Sequence, residues 1–269
     1  MLNVTVVQPL YFAGENPDVE IAKFLTENLE RVNPNSLIVL PEYSNAGGLS
    51  EKEREILALP RAKEMLKAAS KVAKEKSAFV AINVLEERGG EIKNSTYLFK
   101  KDGEVGFVYD KIHLPPSEIK LGVTAGKGEC VCEIDKIRFA FMTCYDVYFN
   151  EQIEFIASKK PDIILVPGYQ RGERTDIILA QAKLLAFRTN AFVLRASYSM
   201  GSDERGGCSM IVSPSGEVLE NIGKEVGCVS AEIDEKEKYM RPAGFGEGLV
   251  RNDEFINLGL CPEVFGGRE

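Results

Sequence analysis

Short aliphatic and β-branched runs alternate with amphipathic stretches along the first half of the chain. Such runs predict strands, whereas apolar positions spaced three and four residues apart predict helices. The turn Lys-Lys-Asp-Gly between two of the runs predicts a hairpin. The predicted strands cover residues 4–8, 37–40, 79–85, 95–99 and 105–109, and the predicted helices cover about 18–32 and 52–76.

The same order of elements returns in the second half. Strands are predicted at 138–143, 163–166, 192–196, 208–212 and 217–221, and helices at 151–159 and 176–189. Three local matches keep this order and indicate an internal repeat: 35–43 with 162–169, 77–81 with 190–194, and 102–105 with 215–218. Two similar β-α-β halves that share one core predict an α/β fold, a four-layer α-β-β-α sandwich.

Residues 1–233 are therefore predicted to form one domain. Residues 234–269 fall outside the repeat, and they include the glycine-rich stretch Arg-Pro-Ala-Gly-Phe-Gly-Glu-Gly at 241–248. We expect this C-terminal extension to be an extended arm that packs on the core or on a partner subunit.

Composition and charge narrow the class of protein. The chain has 269 residues, of which 44% are hydrophobic and 28% charged, as in ordinary globular proteins. A net charge of −8 argues against nucleic acid or a membrane surface as the main partner. The sequence shows neither a basic signal region nor an apolar run of the ~20 residues that span a bilayer. The expected location is the cytoplasm.

Cysteine and histidine usage argues against a metal site. Of six cysteines only Cys130 and Cys132 are close, and C-x-C spacing lacks the paired knuckles of a zinc site. The cytoplasm would keep these thiols reduced. With His113 as the only histidine, a His-rich metal site cannot form, and any histidine-assisted nucleophile would depend on that residue.

Three reactive side chains each follow a predicted strand: Glu42, Lys111 and Cys144. A thiol needs a base to become a nucleophile near neutral pH, and a carboxylate in a dry pocket can act as one. A lysine would balance the charge and stabilise an oxyanion, with help from the backbone N–H of Tyr145. The repeat is broken at this point, since Gly168 stands where the first half has Glu42. Singly, each residue also fits a structural role as a cap, a solvated charge or a buried thiol.

The span from Val4 to about Ile233 resembles the nitrilase superfamily of carbon–nitrogen hydrolases. The resemblance rests on Leu-Pro-Glu at 40–42, Lys-Ile-His-Leu at 111–114 and Cys-Tyr-Asp at 144–146, with support from residues 207–218. It implies the α-β-β-α fold and a Glu–Lys–Cys triad on Glu42, Lys111 and Cys144. It further implies a second glutamate, Glu118, that positions the substrate or the base. His113 is expected to fix its loop.

The same resemblance implies a hydrolase that forms a cysteine thioester and needs no metal or organic cofactor. We expect a small amide as substrate and a homodimer or larger homo-oligomer. A nitrilase, an N-carbamoyl-amide hydrolase and a non-catalytic binding member remain alternatives. A thiol redox protein is disfavoured, because no cysteine lies at C-x-x-C spacing from Cys144.

The substrate is the least determined feature. Tyr148 stands where family members often have an arginine that could bind a substrate carboxylate, which weakens the case for an acidic substrate. Three arginines could replace that charge, although each is more typical of a surface or ion-pair residue: Arg171, Arg174 and Arg195. Four tyrosines are predicted to line the pocket: Tyr43, Tyr145, Tyr148 and Tyr169.

Overall fold

The computed structural model describes residues 1–11, 16–49 and 58–261. The first half follows the predicted order, and residues 52–57 of the predicted second helix lie outside the described residues. Its elements are β1 (Leu2–Gln8), α1 (Pro17–Glu30), β2 (Ser36–Val39), α2 (Leu59–Lys76), β3 (Phe79–Arg88), β4 (Glu91–Phe99), β5 (Val105–Asp110), α3 (Pro116–Lys120) and β6 (Val131–Ile134).

The second half repeats this order and ends in a short C-terminal region. Its elements are β7 (Ile137–Phe141), a 3₁₀ helix (Cys144–Tyr148), α4 (Asn150–Ser158), β8 (Ile163–Pro167), α5 (Thr175–Thr189), β9 (Phe192–Ala196), β10 (Met210–Val212), β11 (Val218–Asn221) and β12 (Gly227–Ile233). The C-terminal region contributes β13 (Met240–Pro242), β14 (Leu249–Arg251) and α6 (Asn252–Leu258).

Two six-stranded sheets form the centre of the described part of the chain. Their strand orders are β12-β1-β2-β3-β4-β5 and β11-β10-β9-β8-β7-β6. In each sheet three central strands run parallel, and the remaining strands pair antiparallel with their neighbours. The carboxyl ends of the parallel strands thus meet at one edge of each sheet, where α/β proteins bind ligands.

The two halves exchange their last strands. β6 follows β5 in the chain but pairs antiparallel with β7 in the second sheet, and β12 follows β11 but pairs antiparallel with β1 in the first. Neither strand was predicted from the sequence. β6 has only four residues and none of them is fully buried. β12 does alternate, with Val229, Ala231 and Ile233 against the core, and this signal was not recognised in the sequence.

The layers follow from the alternation of side chains along each strand. In β2, Leu37 and Val39 face a core that they share with the second sheet, and Ile38 faces a separate core under α1 and α2. Phe79 of the first sheet meets Phe139 of the second with ring centroids 5.5 Å apart. Residues of α5 cover the outer face of the second sheet. The protein is therefore an α-β-β-α sandwich, as predicted.

The repeat extends to the ends of the long helices. Ser77 after α2 and Asn190 after α5 both adopt a left-handed conformation, with φ of 52° and 53°. In both halves the next residue, Ala78 or Ala191, donates its N–H to an alanine carbonyl of the last helical turn. A left-handed residue after a helix satisfies terminal carbonyls and turns the chain back. The same type of helix cap therefore directs the chain into β3 in the first half and into β9 in the second.

The C-terminal region differs from the predicted extended arm. Its described residues form the β13–β14 hairpin and α6, and Asn252 of α6 donates to the carbonyl of Phe187 in α5. The buried Asp253 pairs with Arg251 and accepts a hydrogen bond from Asn190. The glycines at 244–248 serve as the hairpin turn. Residues 262–269 of the predicted extension lie outside the described residues.

No helix among the residues 1–11, 16–49 and 58–261 is both long enough and apolar enough to cross a bilayer.

Candidate active site

Cys144 opens the 3₁₀ helix directly after β7, in a strained backbone conformation. Its φ is 49°, in the left-handed region that non-glycine residues rarely adopt. Such strain concentrates at functional sites, where the surrounding structure holds it. Asp146 holds this turn: its carboxylate accepts the Thr143 N–H at 2.8 Å and the Tyr109 hydroxyl at 2.7 Å. Cys144 thus lies in a turn that hydrogen bonds to Asp146 stabilise; the residue is partly exposed, whereas its thiol is buried.

The predicted triad residues come together with Glu118 in one cluster. Lys111 Nζ lies 2.8 Å from Glu42 Oε1 and 2.9 Å from Glu118 Oε1. Glu42 and Lys111 are each 1% exposed, and Glu118 is 3% exposed. Buried charges need partners of opposite sign, and Lys111 serves both carboxylates. Glu42 in turn lies within hydrogen-bonding reach of the Cys144 thiol.

Asn94 belongs to the same cluster and was not predicted from the sequence. Its side-chain amide donates to Glu42 Oε1 at 2.8 Å and to Glu118 Oε1 at 3.1 Å. Asn83 orients this amide by donating to Asn94 Oδ1 at 2.7 Å and accepts the Tyr43 N–H at 2.8 Å. The polar run Asn94-Ser95-Thr96 directly before the apolar end of β4 was the signal available in the sequence, because polar groups that a strand buries need partners.

Electrostatics keep the resting cysteine protonated. Burial and the charge of Glu42 raise the pKa of the Cys144 thiol well above its usual value, whereas Lys111 and the backbone N–H of Tyr169 lower it. A base must therefore take the thiol proton during the reaction. Burial alone would lower the pKa of Lys111, but the charges of Glu42 and Glu118 oppose it, and the pKa is raised. Lys111 therefore remains a cation.

Glu118 differs from Glu42 in its surroundings. Burial raises the pKa of Glu118 and Glu42 adds to this, although Lys111 lowers it. Its Oε1 accepts the Tyr43 hydroxyl at 2.5 Å in addition to Lys111 and Asn94. Its Oε2 is buried and has no hydrogen-bond partner among the described residues. Glu118 is therefore fixed through one oxygen only.

The four tyrosines predicted to line the pocket occupy two different environments. Tyr43 and Tyr169 are buried, and their rings meet edge to face with centroids 5.3 Å apart. Tyr145 and Tyr148 lie on the 3₁₀ helix beside Cys144 with ring centroids 5.6 Å apart. Tyr148 is 43% exposed, and its hydroxyl donates to Glu173 at 2.5 Å. A role of these tyrosines in binding substrate remains a prediction.

The three candidate arginines are also in different environments. Arg174 is exposed and paired with Asp176 at 2.6 Å. Arg195 is 2% exposed and donates to the carbonyls of Gly207 and Cys208, and burial lowers its pKa to about 10. Arg171 is exposed and stacks on tyrosine rings.

His113 stabilises the nucleophile loop from outside the triad. Its backbone N–H donates to Asp146 Oδ1 at 2.9 Å, and its ring stacks on Phe149 with centroids 3.8 Å apart. The hydrogen bond to Asp146 and the charge of that residue raise the pKa of His113, against the effect of burial. All six cysteines are free of disulfides. Among residues 1–11, 16–49 and 58–261, no cluster of three His, Cys, Asp or Glu side chains is arranged to hold a metal.

Comparison with known proteins identifies the family. The sequence profile of the carbon–nitrogen hydrolases matches residues 4–240, which is most of the chain. The chain belongs to the carbon–nitrogen hydrolase family. This confirms the resemblance to the nitrilase superfamily, and the protein is accordingly a carbon–nitrogen hydrolase.

Two named relatives of this hydrolase are 2-oxoglutaramate amidases. The protein of Paenarthrobacter nicotinovorans is 26% identical over 248 residues, covering 87% of this chain and 83% of the relative. The protein of Bacillus subtilis is 29% identical over 161 residues, covering 59% of this chain and 62% of the relative. This match therefore spans less than two thirds of the Bacillus protein.

Solved structures show the same fold. An amidase from Nesterenkonia sp. superposes with a TM-score of 0.74 at 18% identity, covering 87% of this chain and 90% of the amidase. Nit3 of Saccharomyces cerevisiae superposes with a TM-score of 0.68 at 21% identity and covers 87% of this chain and 90% of its own. Both likenesses concern the α-β-β-α sandwich.

Proposed function

We propose that this carbon–nitrogen hydrolase cleaves a small linear amide through a thioester on Cys144, with Glu42 and Lys111 completing a catalytic triad. The bridging of Glu42 and Glu118 by Lys111, at 2.8 and 2.9 Å, carries the proposal. A carboxylate that can act as a base and a cation with fixed partners, both close to a strained cysteine, support the proposal. The amidases among the relatives support an amide as the substrate.

Acylation begins when Glu42 accepts the thiol proton and the sulfur attacks the amide carbon. Lys111 stabilises the oxyanion together with the Tyr145 N–H, because the first N–H groups of a helical turn have no acceptor within it. Glu42 then gives its proton to the nitrogen, the C–N bond breaks, and ammonia or an amine leaves. The acyl group remains on Cys144 as a thioester.

Deacylation uses the same carboxylate. Glu42 accepts a proton from water, the hydroxide attacks the thioester carbon, and the carbon–sulfur bond breaks as the carboxylic acid leaves. The proton returns to the sulfur. Glu118 positions Lys111 and Tyr43 throughout, since its Oε1 contacts both. In this mechanism no metal or organic cofactor takes part.

The test is ammonia release from a panel of amides, N-carbamoyl compounds and nitriles. Cys144→Ala should abolish release while leaving the far-UV spectrum unchanged. Cys228→Ala is the matched control, because Cys228 is exposed on β12 and lies outside the triad. Product analysis separates an amidase, which leaves nitriles intact, from a nitrilase. Ammonia release by Cys144→Ala at the rate of the control would overturn the proposal.

We further propose that the hydrolase forms a homodimer through α5. Ile177 and Leu184 on this helix are 40% and 65% exposed, and an apolar groove with a volume of about 530 Å³ runs along it beside Phe187. Exposed apolar patches of this kind mark association surfaces. Light scattering should give twice the mass of the chain, and Leu184→Glu should give the single mass. The cytoplasm remains the predicted location.

A further inference from the structure

Arg171 lies at the rim of the active site, in the segment between β8 and α5. It follows Tyr169 by two residues, and the backbone N–H of Tyr169 contacts the Cys144 sulfur. Two residues span at most about 7 Å of chain, so the Arg171 backbone lies close to the nucleophile. The Arg171 guanidinium also lies against the ring of Tyr169, the residue whose backbone N–H contacts the nucleophile.

The guanidinium of Arg171 is held by aromatic rings rather than by an acid. Its central carbon lies 4.6 Å from the ring centroid of Tyr169 and 4.8 Å from that of Tyr11. One N–H donates to the Tyr11 hydroxyl at 2.7 Å. In the described ranges no Asp or Glu lies within ion-pair distance of this arginine. Arginine has five N–H donors in a fork that fits a carboxylate, so donors remain for a ligand.

The other cations near the site are already engaged. Lys111 lies between Glu42 and Glu118. Arg174 pairs with Asp176, and Arg195 is buried against main-chain carbonyls. Tyr148 carries no charge. Arg171 is therefore the arginine, of the three considered, that is neither paired with an acid of residues 1–11, 16–49 and 58–261 nor buried against main-chain carbonyls.

The segment that carries Arg171 is fixed by its neighbour Gln170. The Gln170 carbonyl accepts from Arg195 at 3.1 Å, and its amide donates to Gln181 at 3.2 Å and to Tyr148 at 3.3 Å. A preorganised cation binds an anion with little loss of conformational entropy. The buried Arg195 thus acts on the site through Gln170, which it holds in place.

We propose that Arg171 binds a carboxylate of the substrate, so that the enzyme prefers amides with an acid group at the end opposite the scissile bond. This rests on the amidase function proposed above. The site holds two carboxylates and one ammonium group, so it would repel an acidic amide unless a further cation were present. A neutral amide would gain nothing from Arg171. The acidic amides therefore depend on this residue, and the neutral ones do not.

The test compares substrates of equal chain length that differ in charge. The monoamides of succinic and glutaric acid are measured against butyramide and pentanamide, as kcat/KM for ammonia release. The wild type should prefer each acid to its neutral partner. Arg171→Gln should lower the acid-to-neutral ratio by about 10- to 100-fold, the range for a lost charge-assisted hydrogen bond, mainly through KM. Arg171→Lys should give an intermediate ratio, because it keeps the charge and loses the fork.

Arg174→Gln is the matched control, since it removes an exposed arginine of the same segment that is paired with Asp176. It should keep the wild-type ratio. A wild type that does not prefer the acids, or an Arg171→Gln variant that keeps the preference, overturns the role of Arg171 and leaves the amidase function standing. If the wild type hydrolyses none of the four amides, the amidase function fails and this inference fails with it.

Discussion

The ends of β2 and β8 occupy equivalent places in the two halves and differ in chemistry. Pro-Glu-Tyr at 41–43 follows β2, and Pro-Gly-Tyr at 167–169 includes the end of β8. The first end supplies the carboxylate of Glu42, while the second supplies a backbone N–H, that of Tyr169, to Cys144. The two tyrosines meet edge to face, 5.3 Å apart. The repeat gives both halves the same strand ends, and the carboxylate of Glu42 is the difference between these two ends.

The buried cations of the two halves also have different hydrogen-bond partners. Lys111, after β5, lies between two carboxylates, whereas Arg195, in β9, faces carbonyls and an amide. A buried cation between acids gains a large Coulomb energy that offsets its desolvation. A guanidinium among carbonyls gains hydrogen bonds only, which agrees with the lowered pKa of Arg195 and the raised pKa of Lys111. We propose a catalytic role for Lys111, whereas Arg195 binds the carbonyls of Gly207 and Cys208.

Removing the unmatched carboxylate should have the largest effect. Glu42→Gln keeps the shape and removes the base, so kcat for ammonia release should fall by roughly 10²- to 10⁴-fold, the range for a lost general base. Steady-state assays on butyramide measure this, with thermal unfolding as the control for folding. A kcat within threefold of wild type would show that another group accepts the Cys144 proton.

Replacing the buried cation should lower the free energy of unfolding more in the first half than in the second. Lys111→Met leaves Glu42 and Glu118 facing each other and should lower the free energy of unfolding by about 3–5 kcal/mol at pH 8. Arg195→Met leaves carbonyls unpaired and should lower it by about 1–3 kcal/mol. Urea denaturation measures both losses.

The pH dependence of these losses gives a sharper comparison. Without Lys111, the folded-state pKa of a site carboxyl rises further above its unfolded value, as burial already raises that of Glu118. A group with a raised folded pKa contributes stability at low pH and loses it as the pH rises through that pKa. The Lys111→Met loss should therefore shrink between pH 8 and pH 5, and the Arg195→Met loss should not. If the stability losses of the two variants changed equally between pH 8 and pH 5, the proposed difference between the two buried cations would be wrong.

The smallest effect is expected at Gly168. A Cβ there would lie 3.5 Å from the Ala196 carbonyl and from the Arg195 guanidinium, which is ordinary contact, and the backbone is not left-handed. Gly168→Ala should therefore change the free energy of unfolding by no more than about 1 kcal/mol, in the stabilising direction. If urea denaturation showed a larger loss of unfolding free energy, the backbone at this strand end would require glycine. The absence of a carboxylate would then not be the only reason for Gly168.

Most of the sandwich could be predicted because its strands and helices carry strong local patterns. The two sheet strands that were not predicted are β6 and β12. Each lies at the edge of a sheet, pairs with a strand of the other half and has few fully buried side chains. The C-terminal hairpin and α6 were missed because glycine-rich composition alone indicated an extended chain. Asn94 and Asp146 were not assigned their roles, since a polar residue in a strand or turn shows its purpose only through its partners.

The sequence by itself determined the repeat, the reactive residues and their order along the chain, because these depend on local patterns and residue types. Only the tertiary structure decided which groups meet: Lys111 bridges two acids, and Asn94 donates to both of them. It also decided that Arg195 binds main-chain carbonyls while Arg171 stacks on tyrosine rings. Glu42 and Lys111 are 69 positions apart, so their contact depends on sheet pairing and burial. Contacts between distant residues arise from packing, which no local pattern encodes.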